Sequence, residues 1–285
     1  MDKNVKHRIE QMFKMSIEGK LGEDIQTLSQ EYNKIPSGIP IFLKIIEDFY
    51  KKDRGSQELS TLLDLFSQLF ILVYRESKKQ DPEVSNSILY SFINDFSGTD
   101  GSCIYPQWET MINASLAFKR VVHSNYILVW EQAKNLVQAY NEFLNGLLGF
   151  FIVGWRCAKC KNYNINVFNN NYGSKLNEFS QLTGGEDGAF YLIFRIAKPK
   201  LRNAIAHGSI WLDADSSKVK FTDNTNSSDT HELNLEEFIS FAGIGSHLGH
   251  AYLAAIASIV VIEEGTDSDI SRVPTHIVRL FRFSS

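Results

Sequence analysis

Three side chains near residue 200 are of the types that act on a phosphodiester: Arg202, Asn203 and His207. They lie in the run Leu201-Arg202-Asn203-Ala204-Ile205-Ala206-His207-Gly208. Arginine keeps its charge and clamps phosphate, whereas histidine gains and loses a proton near neutrality. Together they would bind a phosphodiester and move protons at it without a metal. Five residues at 100° each put Arg202 and His207 roughly 140° apart on an ideal helix. They flank a groove, and they must converge on something bound against the helix or on a second copy of it. The plainer role for the same residues is structural, with Arg202 in a surface ion pair and His207 at the helix C-terminal dipole.

The flanking residues define the element that positions them. Pro199 is tolerated as the first residue of a helix or as a kink, and Gly208 is suited to the helix C-cap just after the histidine. Residues 209–212 and 218–221 alternate as a hairpin, and residues 222–230 read as a polar loop. A long amphipathic helix follows over 235–262, with a kink expected near Gly243–Gly245. Upstream, residues 108–150 form one long helix or two that break near Asn125. Residues 162–171 form an asparagine-rich loop, and 176–196 form a helix interrupted at Gly184-Gly185.

The segment from Arg202 to His207 resembles the R-x(4–6)-H motif of the HEPN superfamily, with Asn203 as the polar residue that commonly follows the arginine. The resemblance spans roughly residues 107–264, is strongest over 197–241, and says little about the first hundred residues. It implies an all-α fold: a HEPN-like helical bundle with a short β-hairpin after the motif helix, preceded by an N-terminal helical domain. It implies a symmetric homodimer through that domain, in which two motifs face each other. The implied activity is that of a metal-independent endoribonuclease with no cofactor, found among toxins and antiviral defence effectors. His207 would be the general acid–base at the ribose 2′-OH or the leaving oxygen. Arg202 would neutralise charge on the phosphate, and Asn203 would orient the helix or bond its partner. RNA would be cut to a 2′,3′-cyclic phosphate, and DNA would not be cut. A second HEPN subtype is modified on a tyrosine two residues after the histidine, a place held here by Ser209. Some members only bind or scaffold, so a non-catalytic interaction module is the alternative.

Composition limits the remaining choices. The 285 residues are 44% hydrophobic and 22% charged, enough for a real core and unlike a disordered chain. A net charge of −4 argues against a protein that coats nucleic acid, although Arg195, Lys198, Lys200 and Arg202 form a local basic cluster. The aromatic residues fall at core spacing and read as packing, not as base-stacking platforms. Three cysteines and a polar N-terminus point to a reducing, cytoplasmic setting. The apolar runs 143–155 and 251–262 fall short of the roughly 20 residues of a membrane span, so both are expected to be buried helix.

The domains read as 1–98, 105–265 and an irregular tail at 266–285, with the linker at 97–102. In the first domain Ile9, Met12, Phe13 and Ile17 form a helical stripe within residues 1–35, and Pro36-Ser37-Gly38-Ile39-Pro40 breaks the chain. Helices follow over 41–50 and 59–74, and another starts at Asp81-Pro82. Nothing there names a chemistry, and its expected role is to pack on the rest of the chain or to recruit a regulatory protein partner. Cys157 and Cys160 have the spacing of half a zinc ribbon, but no second cysteine pair completes it. His247 and His250 share a helix face, with no carboxylate at ligand spacing.

Overall fold

The computed structural model describes residues 38–51, 56–213, 215–222 and 229–282. The stripe expected over residues 1–35 lies outside them. The protein is a mostly helical bundle with one small antiparallel sheet. It divides into two compact units: the described residues as far as Asp100 with those from His250 on, and Gly101–Gly249.

In the first unit, α1 (Ile39–Lys51) already begins at Ile39-Pro40, inside the stretch expected to break the chain, and buries Phe42, Leu43, Ile46 and Phe49. Helix α2 (Gln57–Gln80) is capped by Ser56, whose side chain accepts from the Leu59 N–H, and it buries Phe66, Phe70 and Tyr74. Asp81 caps α3 (Pro82–Leu89) by accepting from two backbone N–H groups, with Pro82 in the first turn where its missing donor costs nothing. The segment expected to be an irregular tail is helical. Thr266 and Asp269 form a reciprocal capping box that starts α10 (Asp267–Ile270). Helix α11 (Thr275–Arg282) buries Ile277 and Val278, and His276 reaches Asp64 of α2 at 3.0 Å.

In the second unit, α4 (Tyr105–Val121) and α5 (Tyr126–Ala158) fold back on each other. The break falls at Asn125, whose side chain caps α5 by accepting from the Leu128 N–H. Helices α6 (Tyr172–Thr183) and α7 (Tyr191–Ile196) follow, separated by the left-handed Gly184 and Gly185. Helix α8 (Pro199–Ala206) carries the motif. The hairpin has the expected strands, β1 (Ile210–Asp213) and β2 (Lys218–Thr222). A third strand, β3 (Thr230–Asn234), pairs antiparallel with β2 at the end of the expected loop. Residues 223–228 of that loop lie outside the described part.

Helix α9 (Leu235–Glu264) is one continuous helix through Gly243 and Gly245. Its halves belong to the two units. The helices α5 and α9 are long and apolar enough to cross a membrane, but both are mostly buried in the protein, as core helices of soluble folds are.

The two glycines differ in surroundings. A Cβ on Gly245 would lie 2.7 Å from the Tyr140 ring, whereas one on Gly243 would meet nothing within 4 Å. Gly245→Ala is therefore expected to destabilise by about 1–2 kcal/mol, overpacking outweighing the gain in helix propensity. Gly243→Ala is expected to stabilise by up to about 1 kcal/mol. Denaturant unfolding of both variants checks this, and equal shifts would contradict the close contact.

Candidate functional site

The site is built on α8. Leu201 and Ala204 are buried and anchor one face, leaving Arg202, Asn203 and Ile205 half-buried and Ala206 and His207 exposed. The helix starts where the Lys198 N–H donates to the Asn141 side-chain oxygen at 2.8 Å. It stops in a glycine-terminated cap. The Gly208 N–H reaches the Ile205 carbonyl at 3.1 Å, and the Ser209 N–H reaches that of Ala204 at 2.9 Å. Gly208 has φ +67°, which a residue with a Cβ adopts at a cost. Ser209 then bonds Thr222 of β2 through both its hydroxyl and its carbonyl. His207 is the capping residue, one step beyond the last helical turn.

Arg202 is aimed by two neighbours. Its Nε donates to Glu142 Oε1 of α5 at 2.6 Å, its Nη2 pairs with the same oxygen, and its Nη1 donates to Asn203 Oδ1 at 2.9 Å. A guanidinium carries five N–H donors. Three are engaged, which leaves two for an anion. Asn203 thus orients the arginine of its own helix. No side chain of the described residues hydrogen-bonds the imidazole of His207. Arg202 and Asn203 are brought together, and His207 stands apart, about 7.5 Å further along the helix axis at 1.5 Å per residue.

Glu142 is the residue that sequence spacing does not reveal, being 60 positions from its partner. Its one local sign is the polar step Asn141-Glu142 within a helix that is otherwise apolar at its core positions.

Beneath this pair lies a buried polar layer. Asn141 is 0% exposed, and its amide donates to the Val137 carbonyl at 2.8 Å. Its oxygen accepts from the Tyr172 hydroxyl at 3.0 Å as well as from Lys198. Burial pushes the Tyr172 phenol well above its usual range. Lys175 is only 4% exposed and donates to the Asn145 carbonyl at 3.1 Å. Burial pushes its ammonium down to about 8, with the Glu142 carboxylate acting in the opposite direction.

The other basic residues of the cluster face outward. Arg195 lies over the Tyr191 ring at 5.2 Å, Lys198 lies over the Phe241 ring at 5.0 Å, and Lys200 is exposed. Cys157 is buried and Cys160 exposed. Among the described residues no three His, Cys, Asp or Glu side chains gather as metal ligands would. The chemistry on offer is therefore a pre-aimed cation with two spare donors and a solvent-facing imidazole.

Lys175 generates a pH prediction. The unfolded lysine holds its proton to about 10.5, the folded one only to about 8. Between those values the unfolded state binds more protons, so stability rises with pH through that window. Below it, the buried ammonium costs stability. Lys175→Met is expected to stabilise the fold at pH 7 by roughly 1–3 kcal/mol, with the gain shrinking towards pH 10. Urea unfolding at both pH values checks this, and a loss at pH 7 would show that the ammonium is satisfied where it sits.

In comparisons with known proteins, no family model matches the chain, and no curated protein or solved structure matches it, so the site is read from its own residues.

Proposed function

We propose that the protein is a metal-independent endoribonuclease of HEPN type that works as a homodimer. The observation that carries this reading is the presentation, on one short capped helix, of spare Arg202 donors and a solvent-facing His207. The imidazole takes the proton of a ribose 2′-OH, and the 2′-oxygen attacks the adjacent phosphorus. The bond from phosphorus to the 5′-oxygen breaks, leaving a 2′,3′-cyclic phosphate. The leaving 5′-oxygen takes a proton from the corresponding histidine of a second copy. Arg202 offers its donors to the phosphoryl oxygens, where charge builds in the transition state. The separation of the two side chains on one copy favours pairing, because two helices supply an arginine and a histidine to one pocket. A HEPN-like bundle, a cytoplasmic setting, a role as toxin or antiviral defence effector, and a regulatory partner for residues 1–98 belong to the same proposal. The bundle and the role as effector rest on the resemblance of the motif, the cytoplasmic setting on the few cysteines and the polar N-terminus, and the partner on the lack of any chemistry in residues 1–98.

One observation favours a second reading, a non-catalytic helical interaction module. Glu142 already neutralises Arg202, so the arginine has a structural partner without any substrate. Cleavage of a mixed RNA pool in EDTA by the wild type and by His207→Ala separates the two. The ribonuclease reading expects cutting that survives EDTA, leaves cyclic phosphate ends, and falls at least about 100-fold in the variant, the usual worth of a general acid–base. Equal activity in the two proteins would overturn it.

A further inference from the structure

We infer that the hollow beside the first turn of α8 is a nucleobase subsite for the strand that α8 cuts, an inference that rests on the ribonuclease reading. A cavity of about 360 Å³ opens between α8, the inner face of β2–β3 and α9. That size lies at the small end of ligand sites, roughly 300–1,000 Å³. The register of the sheet pairs Phe221 with His231, whose rings lie 5.3 Å apart. Phe241 of α9 also lines the cavity, with the Lys198 ammonium 5.0 Å from its centroid. Three flat rings therefore line one cavity that is open to solvent, an arrangement that core spacing along the sequence does not disclose.

The polar groups of the lining match the rest of a nucleotide. Lys198 and Lys200 stand at the N-terminal end of α8, where they would meet a phosphate. Lys200 is exposed and has no ion-pair partner among the described residues. Glu237 precedes Phe241 by one helical turn and is likewise exposed and unpaired among the described residues. Its carboxylate accepts from the amino groups of adenine, cytosine or guanine, which uracil lacks. A purely apolar occupant would leave both charge types without partners, whereas a stacked base with its phosphate uses them together. The eight residues of α8 span about 12 Å. A strand seated in the hollow can therefore run along the helix from Lys200 past Arg202 to His207.

The test uses the full chain carrying His207→Ala, so that RNA survives, and measures binding of labelled oligoadenylate and oligouridylate in EDTA. The subsite predicts tighter binding of oligoadenylate. Adding Phe241→Ala should weaken that binding about five- to hundred-fold, the worth of one base–aromatic stack. Lys200→Glu should weaken it too and flatten its salt dependence. Should Phe241→Ala fail to fold, Lys200→Glu and Glu237→Gln decide, both being changes at exposed positions. Unchanged affinity in these variants, with RNA still bound by the parent, would overturn the subsite and leave the ribonuclease reading standing. A His207→Ala chain that binds neither oligonucleotide, together with a wild type that does not cut RNA, would overturn both.

Discussion

The geometry of the site depends on one buried carboxamide. Asn141 uses both acceptor positions of its side-chain oxygen, one for the Tyr172 hydroxyl and one for the Lys198 N–H. The second bond sets where α8 starts. The next residue of α5, Glu142, holds Arg202, which is four positions after Lys198 and so on the same side of α8. Two consecutive residues of α5 thus grip two successive turns of α8. With Leu201 and Ala204 buried between them, the helix has little freedom to roll. Losing Asn141 would leave the buried Tyr172 hydroxyl without a partner, at a cost of about 1–3 kcal/mol, and would free the part-buried Lys198 N–H.

Arg202 and Glu142 each keep about 30% of their side-chain surface exposed. A pair that open to water contributes roughly 0–1 kcal/mol. A phosphate on the two spare donors would not have to displace the carboxylate from the guanidinium. Lys175 lies behind Glu142 with its charge already disfavoured by burial. A carboxylate loosened from Arg202 would therefore still have a cation nearby. The same ion pair that supports a structural role is thus compatible with a site that accepts an anion.

Much of this was legible along the chain, because local chemistry writes itself locally. Pro199 and Gly208 bracket α8, Asn125 separates α4 from α5, and Asp81-Pro82 opens α3, each by satisfying or lacking a backbone donor at a helix end. Strand β3 was hidden because Thr230-His231-Glu232-Leu233-Asn234 is polar outside and turns only His231 and Leu233 inward. Helix α9 continues through Gly243 and Gly245 because glycine permits a break without requiring one. At Gly245 the small residue admits the Tyr140 ring. The tail is helical although its sequence reads as irregular, because its helices are short and held by a capping box and an apolar pair. Contacts such as Glu142 with Arg202 leave no spacing to read, since the fold alone brings them together.

The most direct test of the account is the fate of one RNA sequence and its fully 2′-O-methylated copy, incubated with the wild-type protein in EDTA. An attack by the ribose oxygen predicts that the RNA is cut and that the methylated copy stays intact. Cutting of both would place the nucleophile elsewhere and contradict the role assigned to His207 and Arg202.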